Sequence, residues 1–505
     1  MGKVNRTLPV AVLVALGGLI FFLRLHTYDE PLERDVTTYA VVAHEILSGK
    51  ALYNDVWDHK PPAVHLTYAA AELTAGYGRD AIFLLSVAAA IATMVACYFA
   101  GKACGGGALG GLVAAALWTF ASGDLALEGN QPNTEVFLNA FLTAGFAVLL
   151  HAPAEGLGWR RAMCAGLLFA IASLYKQIVV AQIALLLVLW LASRQAGVRK
   201  GAILDLVLIG AIGAVAWALM FGYFAARGDI GAFIEAVFTY NRWYSGGVWG
   251  NLSQAAHWPP VSADVLDVLI PMATLSLAGV VAGLGLGARR HWVLLLTFVV
   301  ATHFAVVLPG RFFPHYYQLW LPPLAIGASW TVALMKQALP ASLRALSYVT
   351  AAVTCAVLLL LEIPYYRLPA EGWSVKKYGT IFIEADRLAA KLDRLLPAGA
   401  TLYEWGNEPG FYFNTRREPA SGLVFAYPMQ AGPLAMKLSA RVLKDLHHSM
   451  PELIISSNAA FSYTRGHPVV RWLGDNYRPR WRTNSFVVMA RKGGAFDYGP
   501  PLAIN

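Results

Sequence analysis

Charge is what this chain has least of. Only 14% of its 505 residues are Asp, Glu, Lys or Arg, against 57% hydrophobic, where a soluble globular domain carries about 25% charged residues. That scarcity excludes an ordinary water-soluble protein. Cysteine is nearly absent as well. Cys97, Cys104, Cys164 and Cys355 all fall in or beside apolar runs, so the C-terminal part has neither a disulfide framework nor a cysteine-based metal site available to it. Internal repeats and low-complexity linkers are missing from residues 1–363. No small-residue cleavage pattern follows the apolar N-terminus MGKVNRTLPVAVLVALGGLIFFLRL, which therefore reads as a retained first span.

What is present is a series of apolar runs. They lie near 8–24, 81–100, 105–122, 134–150, 162–175, 178–193, 203–225, 263–286, 292–308, 318–335 and 346–363, and a bilayer core of about 30 Å is the solvent they suit. The chain is predicted to be a polytopic α-helical membrane protein with about eleven spans. Tyr175-Lys176-Gln177 interrupts the stretch 162–193, which basic residues flank on both sides. The positive-inside rule makes that stretch a hairpin with Lys176 at its outer tip.

Throughout the chain the same rule assigns Lys3, Arg6, Lys102, Arg160, Arg161, Arg194, Arg199, Lys200, Arg289, Arg290, Lys336 and Arg344 to the cytoplasm, with Glu155 the one acid among those loops. Residues 26–80, 123–133, 227–262, 309–317 and everything beyond about 364 then lie outside. The net charge of +9 reports topology and anionic headgroups; it carries no nucleic-acid signature. Past Pro364 the composition turns mixed and polar. Helix-like segments at 385–396 and 432–447 alternate with strand-like TLYEWG (401–406), ELIISS (452–457) and SFVVMAR (485–491), so residues 364–505 are expected to form a soluble α/β domain, and 1–363 the membrane body.

The densest chemistry sits in Glu33 to Tyr68. Val36, Tyr39, Ala40, Ala43, Ile46 and Leu47 recur at helical spacing before Ser48-Gly49, predicting a short amphipathic helix on the membrane surface. Asp35 precedes Tyr39 by four residues, so both project from nearly one face. Asp35 suits an N-cap and equally a base held ionised at the helix's positive end. Trp57-Asp58-His59-Lys60-Pro61-Pro62 reads as an interfacial anchor, with Pro opening the next helix, or as a lysine held at lipid-phosphate depth.

Two further loops hold candidates. Glu135 follows Asn133-Thr134 at the mouth of a span; it either complements the helix end beside an Asn133 or Thr134 cap or is an ionisable group retained for function. Arg311-Phe312-Phe313-Pro314-His315-Tyr316-Tyr317 combines an aromatic belt with Arg and His on the face where positive charge is scarce, which suits a phosphate. His26, His44, His59 and His65 near several acids leave a divalent cation open, although no pair has zinc-site spacing; no metal ligand and no firm cofactor is assigned.

Taken together, Arg34-Asp35…Tyr39, the run at 57–62, the acidic second loop ending at Glu135 and the run at 311–317 resemble the polyprenyl-phosphate-sugar-dependent glycosyltransferases of the GT-C class. That class includes the protein O-mannosyltransferases and lipid A aminoarabinose transferases, and the similarity is greatest to bacterial members of the RgtA/B/C/D-like group. The resemblance implies a multi-pass protein of the cytoplasmic (inner) membrane with a periplasmic C-terminal domain. It also implies transfer of a sugar from a polyprenyl-phosphate carrier to a lipid, polysaccharide or protein hydroxyl. Asp35 and Glu135 match the acidic catalytic positions, Lys60 the phosphate-binding lysine, and Tyr39 the helical neighbour of Asp35. Arg311 and Tyr39 would join Lys60 at the phosphate, and Asp58, His59, His315 and Tyr316 would line the substrates. Many relatives have Asp-Glu where this chain has Asp35-Val36, which removes one carboxylate from any metal role. A flippase for lipid-linked sugars would need ionisable groups or broken helices at mid-membrane depth, whereas the charges here gather in outer loops; a non-catalytic assembly subunit would not need Asp35, Lys60 and Arg311 together.

Overall fold

The computed structural model describes residues 7–498 except 154–155, 195–196, 198, 257–260, 287–288 and 464–465. Lys3, Arg6 and Glu155 lie outside the described residues, as do the side chains of Arg289 and Arg290. The chain divides into two compact units: Met1–Tyr28, Phe83–Gly222 and Ser245–Pro369 form the first, and Asp29–Ile82, Tyr223–Tyr244 and Ala370–Asn505 the second.

The first unit is helical, and every apolar run of the sequence forms a helix in it. Five segments among the described residues are long and apolar enough to cross a membrane: Thr7–His26, Arg79–Ala121, Arg199–Ala226, Ala263–Leu286 and Ala341–Tyr366. Helix length alone therefore does not establish eleven spans. Arg79–Ala121 breaks at Cys104 and Gly105, so it is the expected pair of helices. At the centre, Leu321–Ala338 is buried on nearly every face against Ala263–Leu286 and Gly107–Ala121. Small residues permit the approach. A Cβ at Gly279 would meet Thr331, and one at Gly327 would meet Ser276, the small-residue packing that stands in for a hydrophobic drive between helices in lipid.

Hydrogen bonds gather the loops of this unit into two sets, one at each end of its helices. At one end Arg24 donates to Ser122 O (2.7 Å), Gln318 donates to Leu127 O (2.9 Å), His26 lies 2.9 Å from Leu368 O and Lys176 reaches Glu135. At the other, Arg194 donates to Pro153 O (2.6 Å), the Leu157 N–H donates to Asp205 (2.6 Å) and Gln337 donates to Gly105 O (3.5 Å). Lys176 does sit between two helices, Trp159–Tyr175 and Val179–Ala192. It is a buried, paired cation.

In the second unit four strands make a mixed sheet in the order β1-β2-β4-β3. β1 (Tyr403–Trp405) runs parallel to β2 (Leu453–Ser457); β4 (Phe486–Arg491) is antiparallel to both β2 and β3 (Tyr477–Arg482). β1, β2 and β4 are the three expected strands. β3 escapes the sequence reading because Pro479 and three arginines disguise it, residues that an edge strand tolerates and favours.

The segment 29–82 is tied to the C-terminal residues of this unit by ion pairs: Glu30–Lys377 (2.6 Å), Arg79–Asp386 (3.0 Å) and Lys50–Glu418 (2.6 Å). Its helix Arg34–Leu47 ends at Ser48, with Gly49 at φ +95°, the left-handed conformation glycine supplies. Two expectations for it fail. Val36 through Ala43 are all buried, between Ala63–Ala75 and Gly410–Thr415, so the helix does not lay one face on a membrane surface. Its polar-face threonines fold back onto its own carbonyls, Thr37 to Glu33 O (3.0 Å) and Thr38 to Arg34 O (2.7 Å), which lets that face be covered.

The N-cap is Glu33, whose carboxylate accepts the N–H groups of Asp35 (2.8 Å) and Val36 (2.9 Å). Asp35 is therefore not the cap. Replacing Glu33 by Ala is expected to cost about 1 kcal/mol, seen as an earlier thermal transition of the detergent-solubilised protein; an unchanged transition would mean that another group holds the helix end.

Candidate active site

Asp35 stands in the first turn of its helix, half-buried. Of the five acids between Glu33 and Tyr68, Glu33 caps the helix, Glu45 pairs with Lys50 (2.6 Å), Asp55 accepts from the Ala51 N–H (2.8 Å) and Asp58 lies between two histidines. The Asp35 carboxylate has no hydrogen-bond or ion-pair partner among the described residues. One turn on, Tyr39 is buried, its ring edge-on to His65 and Tyr68. Asp35 is close enough for its charge to act on Tyr68 and His59.

Asp58, His59 and Lys60 belong to the same neighbourhood. The buried Asp58 carboxylate accepts the His59 backbone N–H at 2.6 Å and lies 3.1 Å from His59 Nδ1 and 3.2 Å from His65 Nε2. Burial pushes this carboxyl up, but the two imidazoles outweigh it and hold Asp58 well below the usual carboxylate range. Burial, helped by the Lys60 charge, pushes His59 down despite Asp58 and Asp35. Lys60 is half-buried, and its carbonyl accepts the Tyr53 hydroxyl at 2.7 Å. Pro62 then opens the helix Ala63–Ala75, as expected.

Trp57 is not an interfacial anchor. It is a core residue, 3% exposed, packed edge-on against Tyr240, and its backbone N–H donates to Gly422 O (2.9 Å). The segment 223–244 is the part that sequence reasoning missed. Asn241 donates to His59 O (2.6 Å), and the Tyr240 and Tyr244 rings flank His59, each at 5.3 Å. The density of aromatics in FTYNRWY was the available signal.

Glu135, Arg311, His315 and Tyr316 belong to the first unit. Asn133 caps the helix that starts at Thr134. Glu135 is fully buried, accepting the Thr134 hydroxyl (2.7 Å) and the Lys176 ammonium (2.6 Å), and that ammonium lies 3.6 Å from the Tyr316 ring centroid. His315 Nδ1 is 2.8 Å from Glu128. Arg311 is half-buried on a tight turn between Gly310 (φ +64°) and Phe312 (φ +51°). Lys176, 41 residues from Glu135, was not foreseen as its partner.

His44 meets Glu72 (2.7 Å) and His26 meets a backbone carbonyl; no group of three metal-type side chains converges on one point among the described residues.

No protein-family model matches the sequence. No curated protein matches it. Solved structures do. The chain superposes on ArnT from Cupriavidus metallidurans bound to undecaprenyl phosphate with a TM-score of 0.64 at 17% identity, covering 98% of this chain and 100% of that one. On the apo state of the same enzyme the TM-score is 0.66 at 16% identity, over 97% and 99%. The mycobacterial arabinofuranosyltransferase AftD matches at a TM-score of 0.50 and 11% identity, across 96% of this chain but 40% of its own. A multi-pass helical body with a small C-terminal sheet, matched end to end by ArnT, gives this chain the fold of the GT-C glycosyltransferases.

Proposed function

We propose that the protein is a membrane glycosyltransferase that takes a sugar from a polyprenyl-phosphate carrier and passes it to an acceptor hydroxyl, with Asp35 as the base. One observation carries this: in a segment where the other four acids are engaged, Asp35 is half-buried, unpartnered among the described residues, and in the same unit as Lys60. The fold likeness to an enzyme crystallised with undecaprenyl phosphate supports the donor class.

In this reading Asp35 accepts the acceptor's proton as its oxygen attacks the anomeric carbon. The bond from that carbon to the phosphate oxygen breaks, and the electron pair leaves with the phosphate. One displacement inverts the anomeric centre. Lys60, in the same unit as Asp35, neutralises the departing phosphate. Glu135, already committed to Lys176, serves position and not proton transfer. The charge asymmetry of the loops supports an orientation with Asp35 and the C-terminal domain outside the cytoplasmic membrane.

Lys60→Ala is expected to weaken undecaprenyl phosphate binding about tenfold or more, with Lys60→Arg restoring only part because a planar fork does not replace a compact ammonium. Binding to the purified variants checks it. Unchanged affinity in Lys60→Ala would place the phosphate elsewhere.

A further inference from the structure

The helix Ile381–Leu395 buries Phe382, Ile383, Ala385, Leu388, Ala389 and Leu392 and turns Arg387, Lys391 and Arg394 outward, spaced so that they share one face. That face does not simply meet solvent. Arg482 at the end of β3 and the turn Thr483-Asn484 rise beside it, enclosing a groove of about 860 Å3, a volume within the range of small-molecule sites. Four cations line the groove against one acid, Glu384.

Glu384 is occupied in bracing the groove. One oxygen accepts the Thr380 hydroxyl (2.9 Å) and the other the Ser485 N–H (3.0 Å), which fixes the 483–485 turn, and with it Arg482, alongside the helix. Arg387 reaches an exposed Glu371 outside the groove (3.2 Å). Arg394 and Arg482 have no ion-pair partner among the described residues. Like charges one turn apart on a helix repel, and bracing a further arginine beside them adds to that cost. A solvated charged face would not need the brace.

We propose that this groove binds an anionic glycan, a saccharide bearing two or more carboxylates or phosphates, and so names the chemical class of acceptor that the soluble part engages. Arginine forks hold such groups bidentately, and the Asn484 amide suits neutral hydroxyls between them. The class of acceptor rests on the transferase reading; the binding itself does not.

The test uses the full-length protein in phosphatidylcholine nanodiscs, titrated with trigalacturonate and with maltotriose as the neutral control. Wild type is expected to bind trigalacturonate in a salt-sensitive manner and maltotriose not at all. The variant Arg394→Glu/Arg482→Glu should lose about tenfold or more in trigalacturonate affinity while keeping its thermal transition and its undecaprenyl phosphate binding. Absent wild-type binding, or equal affinity in the variant, would overturn the proposal. So would a variant that loses adsorption to phosphatidylglycerol vesicles yet keeps trigalacturonate, because the groove would then read the bilayer. A wild type that binds trigalacturonate but no undecaprenyl phosphate keeps the groove and removes the transferase reading.

Discussion

Asp35→Asn is expected to reduce glycosyl transfer by about 10²–10⁴-fold, the range a positioned general base contributes, while leaving undecaprenyl phosphate binding and folding near wild type. The geometry makes this substitution informative. Glu33 caps the helix, and the Asp35 side chain holds nothing among the described residues, so the amide removes proton acceptance and little else. What remains is the loss of one negative charge from the first helical turn, worth a few tenths of a kcal/mol for a partly exposed group. Single-turnover transfer measured beside donor binding separates the outcomes. A variant that transfers at the wild-type rate would show that another group takes the proton.

Lys176→Ala is expected to cost about 3–5 kcal/mol, because removing one partner leaves the other as an uncompensated buried charge, here the carboxylate of the fully buried Glu135. It also strips the cation from the Tyr316 ring. The double variant Lys176→Met/Glu135→Gln should recover most of that loss, since a neutral pair of similar volume leaves no charge behind. Thermal unfolding in detergent reads both. Equal stability of wild type and Lys176→Ala would mean that Glu135 is neutralised by something else, and would return it to the candidates for proton transfer.

The membrane helices were legible in the sequence because lipid imposes one rule, long apolar runs with basic loops, and nearby residues suffice to read it. Three strands were legible for a similar reason: ELIISS and SFVVMAR carry their β-branched residues openly. β3 was not, since an edge strand is built from what central strands avoid. Asp35 stood out by type and position. Its freedom did not, because seeing it required knowing that Glu33, a less usual capping residue, would take both N–H groups. The pairing of Glu135 with Lys176 and the seating of Asn241 on His59 bridge 41 and 182 residues, and no local pattern encodes such separations. The burial of Arg34–Leu47 was misread because threonines that bond their own helix look polar in sequence and behave as packable surface in the fold.

Transfer itself is the most direct measurement. The purified protein is incubated with a panel of radiolabelled polyprenyl-phosphate sugars and an acidic oligosaccharide, and label is followed from the lipid to the acceptor or to water. At least one donor is expected to be consumed with inversion at the anomeric carbon, and Asp35→Asn to slow its consumption by about 10²–10⁴-fold. Binding of these donors with no turnover of any of them, or turnover at the wild-type rate in Asp35→Asn, would contradict the assignment.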